Sequence, residues 1–283
     1  MKLAKILYII SIFIITGFVI LFSMGCRLGF LGSKDMRNIS EKKSIEAFKN
    51  IDIDADVVNF NIEEGDGYYV KYDFPAEFKT DVSVDGDTVK AKVKAKESFS
   101  LVDFGMGAKM KKCDLTLIVP KGADLDDLKV LTKAGNINLD DLTLDEITLN
   151  CDAGNVVLDK VKSGLCNIET DAGNVQFRNC ELADLKLDTD AGNVEFDNTF
   201  MKDIEIETQM GNIDLDEVRF GKGEVTTELG VIEVDGEYDK LEARSQVGAI
   251  KVKSSNEDTK FDIKTELGGV TVNGDSKGRS YSN

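Results

Sequence analysis

Histidine and tryptophan are both absent from this 283-residue chain, and proline occurs only twice. Without histidine the polypeptide cannot assemble a Ser-His-Asp triad, a Cys-His pair or an imidazole metal site, which removes much of hydrolytic and metal chemistry. With two prolines against 25 glycines, chain reversals must rest on glycine and on Asn/Asp turns. Positive charge is also scarce: 35 Lys and Arg against 52 Asp and Glu leave a formal charge of −17. A folded surface of that sign repels phosphates, so nucleic acid is excluded as a partner. Hydrophobic residues make up 42% of the chain, enough for a buried core, so disorder is not the expectation.

One long apolar run stands out, Ile6 to Phe22 (ILYIISIFIITGFVILF), behind Lys2 and Lys5. Its length reaches the lower limit of about 17 residues for crossing a bilayer. Three fates are open: a signal anchor, a lipoprotein leader ending at Cys26, or a cleaved secretory peptide. The small-residue cleavage pattern is poor, and Ser23 and Met24 depart from a lipobox although Gly25-Cys26 fits one. Residues 1–26 are therefore read as a signal anchor forming one transmembrane helix, and 27–44 as a juxtamembrane linker. Arg27, Lys34, Arg37, Lys42 and Lys43 outnumber the two leading lysines, so charge alone leaves the orientation open. A short tail ahead of a single apolar segment usually stays inside, which places the remaining domain outside the cytoplasmic membrane.

The remainder is dominated by a repeat: KAGNINL, DAGNVVL, DAGNVQF, DAGNVEF, QMGNIDL, ELGVIEV, QVGAIKV and ELGGVTV. Its glycines are Gly135, Gly154, Gly173, Gly192, Gly211, Gly230, Gly248 and Gly268, spaced by 19 residues with one interval of 18 and one of 20 at the end. After each glycine apolar and polar residues alternate, as at Val194 and Phe196, and a second alternating run closes the unit, as at Ile204, Ile206 and Thr208. Each unit thus predicts two short strands, with a less regular stretch between them that absorbs the length changes. A lone unit has about seven inward side chains, each worth roughly 1.5 to 3 kcal/mol when buried, while ordering its backbone costs roughly 1 to 2 kcal/mol per residue. Units must therefore stack, about 4.8 Å apart, each strand bonded to its equivalent in the next copy. The predicted fold is all-β, a single-stranded β-solenoid with the geometry of a parallel β-helix and coils of about 19 residues. Its glycines would mark corners, with Asn136, Asn155, Asn174, Asn193 and Asn212 stacking their amides beside them.

Residues 45–283 are read as this solenoid, with 133–283 the regular repeats and polar cap. Residues 45–132 (IDIDADVVNFNI, YYVKYDF, VSVDGDTVKAKVKAK, CDLTLIVP) keep strand patterns but lose the period, and read as degenerate N-terminal coils or a β cap continuous with the rod. Leu128, Val130 and Thr132 already match the closing strand of the unit.

The apolar leader, the IDIDADVVNFNI opening, LTLIVPKG ahead of the repeats, the serial AGNV units and the closing GGVTVNGDSKGRSY together resemble the bacterial putative-adhesin family of toast-rack-type β-repeat proteins, a domain of unknown function. The resemblance covers Ile45 to the C-terminus. It implies a β-solenoid displayed at the cell envelope, with relatives that are accessory proteins of envelope-stress systems, and it supplies no catalytic residues.

Two acidic files recur with the repeat: Asp152, Asp171 and Asp190 ahead of successive glycines, and Asp140, Asp159, Asp197, Asp216 and Asp235 after the first strand, the second interrupted by Arg178. Stacked carboxylates about 5 Å apart repel, and a hard cation could bridge them, so the first file is a calcium candidate. A solvated face that keeps the rod soluble is the plainer reading, and no cofactor is expected. Acidic pairs on a solenoid also raise a carbohydrate-active enzyme on an envelope or external polysaccharide as the alternative function. Such a site needs non-repeated carboxylates and a long loop forming a cleft, and neither is visible. Among the five cysteines, Cys151, Cys166 and Cys180 occupy slots held elsewhere by Thr, Ile, Leu or Val, so they read as core fillers, with a bridge between neighbouring coils left open. The sequence thus points to a non-enzymatic, membrane-anchored scaffold for adhesion or envelope-stress-related protein interaction, whose protein or cell-surface partner it does not name.

Overall fold

The computed structural model describes residues 37–95 and 112–283. The leader Ile6–Phe22, Cys26 and the transmembrane and lipidation readings attached to them lie outside the described residues. Among those described, every regular element is a strand and no helix is long and apolar enough to cross a membrane.

In the regular region each rung contributes a short strand after its glycine and a longer closing strand. The short strands are β9 (Ile137–Asp140), β11 (Val156–Asp159), β13 (Val175–Arg178) and β15 (Val194–Asp197). The closing ones are β10 (Thr143–Ala153), β12 (Lys162–Ala172), β14 (Glu181–Ala191) and β16 (Phe200–Met210). Farther along, β17 (Ile213–Leu229) and β18 (Ile232–Val247) run through both parts without a break, followed by β19 (Ile250–Ser254), β20 (Lys260–Leu267) and β21 (Val270–Val272). Each strand pairs in parallel with its counterpart one rung away, as Ile147 with Cys166 and Leu185 with Ile204. The predicted β-solenoid is the fold observed.

Seven side chains per rung point inward. In one rung these are Val194, Phe196, Thr199, Met201, Ile204, Ile206 and Thr208, all buried. Equivalent slots stack, so like meets like: the Phe177 and Phe196 rings lie 4.3 Å apart and nearly parallel, and Phe220 stacks on Tyr238 at 4.7 Å. Where one slot swells another shrinks. Gly223 occupies the slot of Ile204 and Leu241, and a Cβ there would meet the Phe220 ring at 2.7 Å.

The second corner of the rung turns through a left-handed residue: Asp141, Lys160, Asn179, Asn198 and Glu217 have φ between 47° and 53°. Asn and Asp tolerate that region. Lys160 and Glu217 occupy it at a cost of about 1 kcal/mol, held there by the rungs on either side.

The N-terminal strands join the same rod, but not in sequence order. They are β1 (Asn38–Ser44), β2 (Asn50–Val57), β3 (Asn59–Gly65), β4 (Tyr69–Pro75), β5 (Phe78–Asp85), β6 (Thr88–Ala95), β7 (Asp114–Pro120) and β8 (Asp127–Ala134). The β2–β3 rung lies between β6 and β7, which come later in the chain, and β8 and β9, later still. Antiparallel β5 and the β1–β4 pair close that end. At the other end β22 (Asp275–Gly278) and β23 (Ser280–Ser282) turn back antiparallel and stop further strand addition.

Charge explains the interleaving. Outward residues of β6 are Lys90, Lys92 and Lys94, those of β2 are Asp52, Asp54 and Asp56, and β8 carries Lys129 and Lys133. Set between two basic rows, the acidic row takes an ion pair from each side: Lys94 reaches Asp54 at 2.5 Å and Asp56 at 3.7 Å, and Lys133 reaches Asp56 at 3.0 Å. Stacking β6 directly on β8 would oppose like charges. Beneath these rows Ile51, Ile53 and Ala55 pack on Val89, Ala91 and Val93 in matching register.

Candidate functional surface

The glycine corners are the most conspicuous sites in the sequence, and their requirement is one of space. A Cβ placed on Gly192 would lie 1.7 Å from the carbonyl oxygen of Gly173 one rung away, and the same collision recurs along the file from Gly135 to Gly268. Left-handed or mirror φ values occur at some of these glycines and not at others, whereas the close approach is common to all eight.

Beside them, Asn136, Asn155, Asn174, Asn193 and Asn212 form a bonded file. Each side-chain Oδ1 accepts the backbone N–H of the next rung: Asn155 to Asn136 at 3.0 Å, Asn174 to Asn155 at 3.0 Å, Asn193 to Asn174 at 2.9 Å and Asn212 to Asn193 at 3.1 Å. The file starts one rung earlier than the motif suggests, with Asn59 accepting from Asn136, and it ends where Val231 donates to Asn212. These asparagines satisfy corner amides that the ladder leaves open, so they hold the scaffold.

On the inner side of the corner run Thr132, Cys151, Thr170, Thr189, Thr208, Thr227, Ser245 and Thr265, all buried. Thr227, Ser245 and Thr265 donate to the glycine carbonyls of Gly211, Gly230 and Gly248 at 3.2, 3.1 and 2.8 Å. Thr170, Thr189 and Thr208 have hydroxyls without a partner. Cys113, Cys151, Cys166 and Cys180 are free and buried; burial pushes the Cys113 thiol up to about 12 and Cys151 to about 11, so neither is a thiolate at neutral pH.

The calcium candidates Asp152, Asp171 and Asp190 lie in single file on the outer surface, one rung apart. Lys133 occupies the same column at one end, and at the other Gln209 donates its side-chain amide to Asp190. Among the described residues no three Asp, Glu, Cys or His side chains converge on a point that could hold a metal. In the other file Lys160 bridges Asp140 and Asp159 at 3.8 Å each, and Lys253 pairs with Asp235 at 2.6 Å.

A denser acidic patch escaped the motif reading. Glu195, Asp214 and Glu233 are paired in register on the face that also carries Asp197, Asp216 and Asp235. Partial burial, then the charges of Glu233, Asp216 and Glu195, raise the Asp214 carboxyl above its ordinary value. Its signal was the acid between the two inward positions of VEFD, IDLD and IEVD. On the closing-strand face, a shallow groove runs past Asp184, Lys186, Glu205, Lys222 and Glu242. Here acids meet lysines, Lys186 with Glu205 at 2.7 Å and Lys240 with Glu242 at 2.6 Å, and the Lys240 hydrogen bond holds the Glu242 carboxyl below its usual range.

Solved structures share this architecture. A putative adhesin from Parabacteroides distasonis is 20% identical, with a TM-score of 0.56 over 84% of this chain and 97% of that one. A putative adhesin from Bacteroides fragilis is 18% identical, with a TM-score of 0.52 over 85% and 97%. A third structure, described as a putative lipid binding protein from Parabacteroides distasonis, is 15% identical, with a TM-score of 0.54 over 85% and 96%. At these identities the likeness is one of fold. No curated protein matches the chain. The model of the Toastrack DUF4097 family matches residues 48–283, the whole span of the rod from β2 to the final cap, and the chain belongs to that family.

Proposed function

We propose that this protein is a non-enzymatic component of the cell envelope, a β-solenoid anchored through residues 6–22 with its rod outside the cytoplasmic membrane, and that it acts as a scaffold for adhesion or for protein interaction linked to envelope stress. The observation that carries this reading is the repetition of the surface. Its acids recur with the rung, many lie beside lysines, and the grooves between them are lined by equivalent positions of successive rungs. A rod of this kind offers extended, repetitive faces, which suit contact with another macromolecule. The adhesin descriptions of structurally similar proteins are consistent with that use. The reading requires no cofactor.

A C-terminal epitope tag probed on spheroplasts with an intact cytoplasmic membrane tests the placement. Labelling before lysis is expected; labelling only after lysis would put the rod inside. Photocrosslinking from positions 195 and 214 in cells is expected to trap a discrete neighbour.

A further inference from the structure

The residue immediately before the corner glycine changes character halfway along the rod. In the early rungs it is Ala134, Ala153, Ala172 and Ala191; in the later ones it is Met210, Leu229, Val247 and Leu267. These four are in register with one another and with the alanine file. They are also 54%, 47%, 42% and 54% exposed, among the most exposed large apolar residues described. In the same stretch the asparagine file gives way to Val231 and Ala249. The early rungs serve as an internal control: the same corner, with the same glycine approach, closes with alanine. The larger side chains therefore add nothing that the corner requires, and they form an apolar stripe about 14 Å long and one side chain wide.

Acids flank the stripe on both sides. On one side Glu228 and Glu266, which precede Leu229 and Leu267, alternate with Gln209 and Gln246 and have no ion-pair partner among the described residues; beyond the glycines stand Asp214, also unpaired there, and Glu233, whose partner is Lys251 at 2.5 Å. A second copy of this chain brings the same acidic flanks and the same −17, and an anionic bilayer is repelled in the same way. The stripe is also far narrower than the roughly 800 Å² per partner that a stable dimer buries. Spacing favours a helix: apolar residues one helical turn apart advance about 5.4 Å, close to the rung spacing of about 4.8 Å, whereas alternate residues of a strand advance about 6.6 Å.

We propose that the stripe Met210–Leu229–Val247–Leu267 docks an amphipathic helix of a partner protein, apolar along one line and basic on both flanks. The proposal deepens the scaffold reading and rests on it for biological meaning, but its test is independent of where the rod resides.

The test uses the full-length protein in nanodiscs of zwitterionic lipid, with empty nanodiscs subtracted. The probe is a fluorescein-labelled synthetic helix with Leu once per turn and Lys on both flanks, compared with a scrambled peptide of the same composition. Binding by anisotropy is expected to weaken at least tenfold in Leu229→Ser/Val247→Ser, a variant of unchanged charge, and to be retained in Ala153→Ser/Ala172→Ser. Thermal melts of both variants check that the rod remains folded. Equal binding to wild type and the Leu229→Ser/Val247→Ser variant, or equal binding of the scrambled peptide, would show attraction by charge alone and overturn the proposal. So would dimerisation of the wild-type protein that the same variant abolishes. Tag accessibility on spheroplasts reports the envelope placement separately, so failure of one reading does not conceal failure of the other.

Discussion

The two ends of the rod hold adjacent strands together by different means. At the N-terminal end rows of opposite charge alternate, with Lys90, Lys92 and Lys94 facing Asp52, Asp54 and Asp56. In the regular repeats no such alternation is kept: cross-rung ion pairs such as Lys186 with Glu205 occur, but like charges also stack, Glu205 facing Glu224, which faces Glu242, and Glu169 facing Asp188, which faces Glu207. The first region must select one neighbour among strands distant in sequence, and charge supplies that selection. The second has the next rung already tethered 19 residues away, so proximity selects the neighbour. There the backbone ladder, the asparagine file and the inward side chains overcome side-chain repulsion. Charge specifies pairing where topology is non-local; where topology is local the surface is free to be acidic.

The sharpest way to break that comparison is to obstruct the rung approach itself. Gly192→Ala drives a methyl group into the Gly173 carbonyl, and both neighbours of that corner are fixed by the ladder. A loss of about 3 kcal/mol or more is expected, seen as a large fall in melting temperature. Gly86 provides the contrast. It sits at φ 60° in the turn between β5 and β6, where an added methyl group would meet nothing within 4 Å, so Gly86→Ala is expected to cost only about 1 kcal/mol for the left-handed conformation. Equal losses at the two sites would mean that close approach is not what the repeat glycines provide.

The rungs were legible because burial imposes period two and stacking imposes period 19; both leave marks that survive substitution, as at Val194, Ile213 and Ile232. The order of the first rungs was not. Pairing of β2 with β6 and β8 depends on charge rows that occur once, and a non-repeating signal gives no register to read. The corner chemistry was visible as residue type but not as geometry. The Gly-Asn pairs announce a turn, yet only the folded rod shows that glycine yields space to a carbonyl and that Asn Oδ1 accepts a backbone N–H. The apolar stripe was concealed by parity. Counting by twos from Ile206 and Thr208 places Met210 inside, but the corner turns at that residue and leaves it in solvent, 54% exposed.

Salt and pH sharpen the comparison with smaller effects. Raising ionic strength from about 0.05 to about 0.5 M screens attraction at the N-terminal end and repulsion in the repeats. Amide exchange is expected to speed up in β2 and β6 and to slow in β15 and the Asp214 segment of β17, where Glu195 faces Asp214 and Asp197 faces Asp216. Acid separates the regions in another way. Asp214 has a raised carboxyl, so its contribution is stabilising when protonated and is lost as pH rises through its folded value; the rungs around Asp214 are expected to gain protection on acidification from neutrality. Burial pushes the Asp56 carboxyl upward, but the Lys133 hydrogen bond, the Ala95 N–H and the charges of Lys133 and Lys94 outweigh it and leave it lowered. Its contribution is therefore complete above 3.8 and lost only as pH falls below that value. On acidification toward pH 3.8 amide protection around Asp214 in β17 should therefore rise while β2 remains unchanged.

The smallest expected effect lies within a single ladder and tests whether its hydroxyls hold the corners or merely fill them. Thr265 donates to the Gly248 carbonyl at 2.8 Å, while the equivalent Thr189 hydroxyl is buried with no partner. Valine has nearly the same shape and no hydroxyl. Thr265→Val leaves a glycine carbonyl without that donor and is expected to cost about 1 kcal/mol. Thr189→Val removes a desolvated hydroxyl that forms no bond, and should raise stability by a similar amount. Paired denaturant titrations would read the opposite signs directly. The ladder then combines bonded hydroxyls near the C-terminal cap with volume-filling ones in the middle, where the rungs on both sides already fix the corner. Losses of equal size at both positions would instead mean that the central threonines also bond to their glycine carbonyls, and that the whole file is one continuous clasp.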